Sequence, residues 1–358
     1  MDVRALKIGE LEARVPIVQG GMGVGISLSR LAGAVAKAGG VGVISGVEVG
    51  YNWPGHQEDK NKANKEALLW HLNQARSIAP QGVIGVNIMV ALTNYEEVVA
   101  TSVLGGADII FSGAGLPLSL PALVKGSKVK IVPIISSAKA ALLITKHWFT
   151  KHGRLPDAIV LEGPLAGGHL GFSREQLEDT SGQYSLDNLL REVLDALKGY
   201  LGDRYREVPV IAGGGVWTGG DIARLFRAGA SGVQMSTRFV VTEECDAPEA
   251  FKKAYLDAQE EDVALINSPV GMPGRAIKND FLRDVVRGDR RPDWCTTNCL
   301  KPCNPTETPY CIAEALISAA SGNLEDGFAF CGAYVYRLTE LTTVEAVIQE
   351  LMDELRVS

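Results

Sequence analysis

Short apolar runs recur along the chain, beginning at Val15, Val41, Val83, Asp108, Lys130, Ala158, Val208 and Gly232. Each but the last is followed by a segment with apolar residues at helical spacing. Lys60 to Ala79, for example, puts Ala67, Leu68, Leu72 and Ala75 on one face. Wholly apolar strands alternating with helices predict a parallel sheet covered on its outside by helices. Eight such units predict an α/β fold of the (β/α)8 TIM-barrel type rather than an open doubly wound sheet. No G-x-G-x-x-G followed about twenty residues on by an acidic residue is present, which argues against a dinucleotide-binding sheet. After Arg238 the alternation breaks. Residues 241–312 read as a smaller inserted domain, a substrate lid over the catalytic face. Residues 1–240 and 313–358 read as the barrel, with Ile312 to Ala320 and Val344 to Leu355 as its returning helices.

The stretch Val208 to Val240 carries the densest chemistry. An apolar strand runs into Gly213-Gly-Gly215, and a helix starts at Thr218-Gly-Gly-Asp221, where Thr218 or Asp221 can cap it. A second strand, Gly232 to Met235, runs into Ser236-Thr237-Arg238. Bare backbone, hydroxyls and a helix N-terminus at two neighbouring strand ends predict a phosphate cradle.

The 358 residues are 46% hydrophobic and 22% charged, enough for a large core, and forty glycines suit many tight turns. A net charge of −7 argues against a nucleic-acid partner. No apolar run reaches the roughly 18 residues that span a bilayer, and no segment reads as a signal peptide, so a cytoplasmic location is expected.

In a barrel of this kind the chemistry sits where strands end. Those ends carry Gly20 to Met22, Ser45, Asn87, Ser112, Ser136 and Ser137, Glu162 with His169, Gly213 to Gly215, and Gln234 to Thr237. The set lacks a hydrolytic carboxylate pair and a cysteine nucleophile with a base. Amides, hydroxyls and glycines suit a planar, hydrogen-bonding cofactor with a phosphate tail. His169 lies in a glycine-flanked loop and is the candidate general acid or base. His71, His147 and His152 read as structural or solvated, and His56 stays undecided.

PIVQGGMG, VNIMV, SGAGLP, LAGGH, VIAGGG and QMSTRF, in that order, resemble the nitronate monooxygenase (2-nitropropane dioxygenase) family, including its flavin-dependent enoyl-reductase branch. The resemblance covers about residues 10–240 and is weaker in SPVGMPGRA and the tail. It implies an FMN-binding barrel with a smaller second domain. By it, Gly21 and Met22 lie at the flavin ring, Asn87 bonds to FMN, and Glu162, Gly167 and Gly168 adjoin the cofactor. Gly214, Gly215, Gln234, Met235, Ser236 and Thr237 hold the phosphate, and His169 is the catalytic histidine. The implied reaction is oxidation of an alkyl nitronate completed by O2. The alternative is NAD(P)H-dependent reduction of an enoyl thioester or quinone. A small-molecule substrate is expected, and NAD(P)H and a second copy of the chain are partners left open. The chain departs from the family at Leu165, where members often carry Glu, at Glu162, where many carry Gln, and at Ser236 in place of Gly. An inosine-monophosphate-dehydrogenase-like barrel would need a nucleophilic cysteine in a mid-barrel loop, and Ser112 to Leu116 and Ser136 to Lys139 contain none.

Cys295, Cys299, Cys303 and Cys311 form C-x3-C-x3-C-x7-C. The clustering raises three readings, a metal ion or Fe–S cluster, reduced structural thiols, or redox-active disulfides. The spacing matches neither the common ferredoxin pattern nor paired C-x2-C. Cys245 and Cys331 read as structural.

Overall fold

The computed structural model describes residues 3–292, 295 and 298–358. The chain opens with an antiparallel hairpin of β1 (Leu6–Ile8) and β2 (Leu11–Ala13). The alternation expected from the sequence follows. β3 (Ile17–Gln19), α1 (Ser29–Lys37), β4 (Val41–Ser45), α2 (Lys60–Ile78), β5 (Val83–Met89) and α3 (Tyr95–Leu104) make the first half. β6 (Ile109–Gly113), α4 (Leu120–Leu123), β7 (Lys130–Ile135), α5 (Ala138–His152) and β8 (Ile159–Glu162) continue it. A two-residue strand, β9 (Gly168–His169), and a short helix, α6 (Arg174–Glu178), interrupt the pattern before α7 (Leu186–Leu201). β10 (Val210–Gly213), α8 (Gly219–Arg227) and β11 (Gly232–Met235) complete it. β3 to β8, β10 and β11 form a closed parallel barrel, shut where Val233, Gln234 and Met235 pair with Ile17, Val18 and Gln19.

Two apolar layers hold the barrel. Inside it, Val18, Val43, Phe111, Val132, Val160 and Ile211 pack with Leu6, Ile8 and Ala13 of the hairpin. Outside it, the other strand faces meet the helices. Leu31, Val35, Leu68 and Leu190 are fully buried there. The strands read as unbroken apolar runs because both their faces are covered.

Beyond β11 the chain forms α9 (Thr237–Val240), α10 (Glu249–Asp257), β12 (Val263–Asn267), β13 (Pro273–Ile277), α11 (Asp280–Arg287), α12 (Ile312–Ala320) and α13 (Val344–Val357). Thr242 and Thr342 pair as an isolated bridge, so the chain leaves and rejoins the barrel wall at one place. α12 closes Ala315 and Ala319 on Gly327, and α13 lies on the barrel, against α8 and α1. Asp246 ties the two units together. Its carboxylate accepts the N–H groups of Leu28 and Leu31 at 2.8 and 3.2 Å, capping α1, which has no side-chain cap of its own.

A methyl group added at Gly42 on β4 would collide with the Ala32 carbonyl oxygen of α1, a backbone atom with no room to yield. Gly42→Ala is expected to cost ~1–3 kcal/mol or more. Gly199→Ala, in α7 with nothing within 4 Å of the new methyl, is expected to be neutral or to stabilise by up to ~1 kcal/mol. Urea titration followed by circular dichroism measures both, and equal midpoints would refute this account of the helix–barrel packing.

Candidate active site

The strand ends of the barrel and the second unit enclose one large cavity of about 250 Å³. All thirteen candidate residues line it. These are Gly21, Met22, Asn87, Glu162, Gly167, Gly168, His169, Gly214, Gly215, Gln234, Met235, Ser236 and Thr237. Barrel closure explains the gathering, since residues distant in sequence become neighbours at one rim. Gly213 pairs with Gln234, and Ser45 pairs with Asn87.

His169 is held by backbone and side chain alike. As part of β9 it pairs with Gly274 of β13, and Gly168 pairs with Arg275, so a barrel loop becomes the edge of the second unit's sheet. His169 Nε2 lies 2.7 Å from Ser268 Oγ, and the ring packs edge-on to Phe330 at 4.9 Å. Ser268 Oγ also accepts the Val270 N–H at 3.3 Å. Burial pushes the imidazole down to about 4, so it is neutral at pH 7. Among the described residues, Nδ1 has no protein partner, which leaves it for a ligand.

Glu162 ends β8. Burial pushes its carboxyl up to about 8, against the opposing pull of the Arg275 guanidinium. The group is therefore mainly protonated at pH 7, and the replacement of an amide by an acid keeps a neutral hydrogen-bonding head. Arg275, buried in β13, holds the loop after β8. Its Nη1 donates to Pro164 O at 2.8 Å and to Ala166 O.

The phosphate cradle differs from its sequence expectation in two respects. The N-terminus of α8 is spent within the protein. Thr218 and Asp221 form a capping box, Asp221 accepts the Trp217 N–H at 3.1 Å, and Glu354 accepts the Gly219 N–H at 2.6 Å. Acids at those donors leave no place for an anion there. Arg238 is committed as well, with Nη2 2.6 Å from Glu350 and Nη1 donating to Trp217 O at 3.1 Å. What faces the cavity is backbone and hydroxyl. Among the described residues, the N–H groups of Gly214, Gly215 and Thr237 make no hydrogen bond within the protein. Gly214 adopts φ +93°, and a side chain there would press to 2.8 Å from the Gly163 carbonyl oxygen. At Gly168, φ +75°, a methyl would meet nothing within 4 Å, so that backbone is bare toward the cavity.

The cysteine expectation needs correction. Among the described residues no three His, Cys, Asp or Glu side chains are gathered to hold a metal ion, so a metal or Fe–S cluster at Cys295, Cys299, Cys303 and Cys311 is unsupported. Burial pushes the Cys303 and Cys311 thiols up, whereas ligation needs thiolates. The segment serves as wall. Cys299 and Leu300 line the cavity, and the segment docks on the loop after β5 through Thr93 N–H to Cys299 O at 3.1 Å and Lys301 N–H to Ala91 O at 2.8 Å. Cys245 is buried with Sγ on Ile26 O, and Cys331 is buried at the cavity wall. His71 is buried against Ser29 Oγ at 3.0 Å.

Sequence reading missed Ser268, Arg275 and Glu48. The first two lie in the SPVGMPGRA stretch, whose faint likeness to the family was the available signal. Nothing in the sequence singled out Glu48.

A family model described as nitronate monooxygenase matches residues 4–354. The chain is 27% identical over 275 residues to a (3aS,4S,5R,7aS)-5-hydroxy-7a-methyl-1-oxo-octahydro-1H-indene-4-carboxyl-CoA dehydrogenase of Mycobacterium tuberculosis, covering 77% of this chain and 66% of that one. A Rhodococcus jostii protein of the same name matches over 64% of its length, so the chain spans just under two thirds of these relatives. A probable nitronate monooxygenase of Staphylococcus saprophyticus is 23% identical, covering 82% and 84%. FabK of Thermotoga maritima shares the fold with TM-score 0.71 and 24% identity over 96% of this chain and 93% of its own. A nitroalkane oxidase of Streptomyces ansochromogenes does so with TM-score 0.71 and 21% identity over 96% of each.

Because the folded-state value of Glu162 lies above its ordinary 4.5, its stabilising contribution is full below about pH 4.5 and is lost as pH rises through about 8. His169 titrates in the opposite sense, with a contribution present above 6.5 and lost as pH falls through about 4. Glu162→Gln removes the first effect alone. The fall in Tm of flavin-free protein between about pH 5 and about pH 8 should shrink by on the order of 2 °C or more. An unchanged fall would mean that Glu162 ionises normally.

Proposed function

The chain belongs to the nitronate monooxygenase family, an oxidoreductase family, and on that premise we propose that it is an FMN-dependent oxidoreductase that oxidises alkyl nitronates with O2. The observation that carries this reading is the convergence of thirteen candidate residues from six separate segments on one cavity. The donor set fits an FMN phosphate. Gly214, Gly215, Ser236 and Thr237 would hold it through N–H groups and hydroxyls without an uncommitted cation. Gly21, Met22, Asn87, Glu162, Gly167 and Gly168 would border the ring, with Gln234 and Met235 beneath the rim. Bound FMN would supply two-electron redox chemistry, taking electrons from an organic substrate and passing them to an acceptor.

The chain's own residues do the rest. Protonated Glu162 can donate a hydrogen bond without placing a negative charge beside the ring. His169 meets the substrate through Nδ1, since Nε2 is engaged by Ser268. When Ser268 accepts from Nε2, Nδ1 carries a lone pair and takes a proton. When Ser268 donates, Nδ1 carries the hydrogen and holds a substrate oxygen. The second unit keeps water from this centre, with Val270, Leu300, Ile312 and Leu316 as its apolar wall.

That wall also favours a second reading, oxidoreduction of an acyl thioester with a hydrocarbon body. The Mycobacterium tuberculosis relative is named for a bicyclic carboxyl-CoA substrate. Lys or Arg is represented in the cavity lining only by Arg238 among the described residues, and it is already paired. A small nitronate anion would therefore depend on hydrogen bonds alone.

Purified protein is expected to be yellow with bound FMN. Anaerobic reduction of the flavin by propyl nitronate supports the first reading, and reduction by NADH or NADPH supports the second. Colourless protein that fails to take up FMN would sink both. His169→Ala should keep the flavin and lose turnover roughly 10²-fold, whereas Ser236→Ala should weaken FMN binding roughly tenfold.

A further inference from the structure

We propose that Glu48, backed by Asn64 and His56, is a substrate-recognition residue that accepts a hydrogen bond from a hydroxyl or N–H group on an otherwise apolar substrate. The inference rests on the cavity being the substrate site but not on the identity of the cofactor.

Glu48 lies in the loop after β4 and lines the cavity. Its backbone is left-handed at φ +43°, a conformation that costs a residue with a long side chain about 1 kcal/mol or more. Strain of this kind persists where the surroundings over-determine it, and here they fix the side chain. Asn64 Nδ2 donates to Glu48 Oε2 at 3.3 Å, while Asn64 Oδ1 accepts the Gly50 N–H at 2.7 Å and so cannot turn away. His56, only 6% exposed, places Nε2 3.5 Å from the same oxygen, near enough for attraction but not aligned as a hydrogen bond. Asn64 of α2 and His56 of the loop thus both attend to Oε2. Among the described residues, Oε1 has no hydrogen-bond partner.

Oε1 is not among the atoms sealed from solvent, so in the cavity wall it is free to accept a hydrogen bond from a ligand. The apolar wall is adjacent, because Tyr51 of the same loop reaches Ala320 O of α12, the helix that contributes Ile312, Ala313 and Leu316 to the cavity. The class of substrate follows from this pairing. A hydrocarbon body would fill the apolar side, and one donor on it would meet Oε1. Sites built to bond a hydroxyl reject analogues that lack it, because the protein's own polar group is then stranded.

The test compares 4-tert-butylcyclohexanol with its methyl ether, which keeps the body and deletes the donor. Saturation-transfer NMR titrations would use the full chain with FMN supplied. The wild type should bind the alcohol about tenfold tighter than the ether or better. Glu48→Gln keeps the shape, but Asn64 Nδ2 would hold the amide oxygen and turn the NH2 group to the cavity. The preference should then vanish or reverse. Glu48→Asn, which tolerates a positive φ and falls short of the ligand, should bring the two affinities within about twofold. An unchanged preference in folded Glu48→Gln overturns the proposal, as does a wild type that binds neither probe or both equally. Failure to bind FMN would instead refute the flavin reading and leave the alcohol-to-ether ratio measurable.

Discussion

The backbone pairing of Gly168 and His169 with Arg275 and Gly274 is the constraint on which the site depends. A parallel barrel places its loops at one rim but does not fix their conformation. Here the loop after β8 is taken up as a strand by a separate three-stranded sheet. Arg275, part of that sheet, reaches back to the carbonyl oxygens of Pro164 and Ala166. Backbone and side chain therefore fix this one loop from two directions, at Gly168 and His169 and at Pro164 and Ala166. His169 inherits its position and Glu162 its neighbour from that arrangement.

Electrostatics at the rim follow from how little water reaches it. Burial makes the imidazole neutral and the carboxyl protonated at pH 7, the reverse of what each would be if a salt bridge dominated. The positive charge of Arg238 is spent on Glu350 and not on an anion. What remains is a set of neutral donors, which is the lining that suits a ring with alternating polar edges and a tail whose charge is met by backbone N–H groups.

Much of the barrel was legible because parallel strands covered on both faces appear as continuous apolar runs, and several ran into glycine at the rim, as at Gly20, Gly46, Gly163 and Gly214. The β1–β2 hairpin and the β9–β12–β13 sheet were not, since their strands pair antiparallel outside the strand–helix alternation and β12 is only half-covered. Candidate site residues were legible where a strand visibly ended. Ser268 and Glu48 were hidden because tertiary packing, not spacing, brings the one to His169 and the other to the cavity. The cap at Thr218 and Asp221 carried its own warning, since a capping box consumes the very N–H groups a phosphate would need. Cysteine spacing misled for a related reason. Proximity in sequence does not aim four sulfurs at one point, and Cys311 instead starts a helix.

The opening hairpin has a consequence for traffic. Leu6, Ile8 and Ala13 fill the barrel's floor among Val18, Phe111 and Val160, with Leu6 against Gly232 and Gly9 against Lys130 at the starts of their strands. The barrel is stoppered at that end. Any route to the cavity must therefore run through the rim where the strands end, and not through the barrel floor.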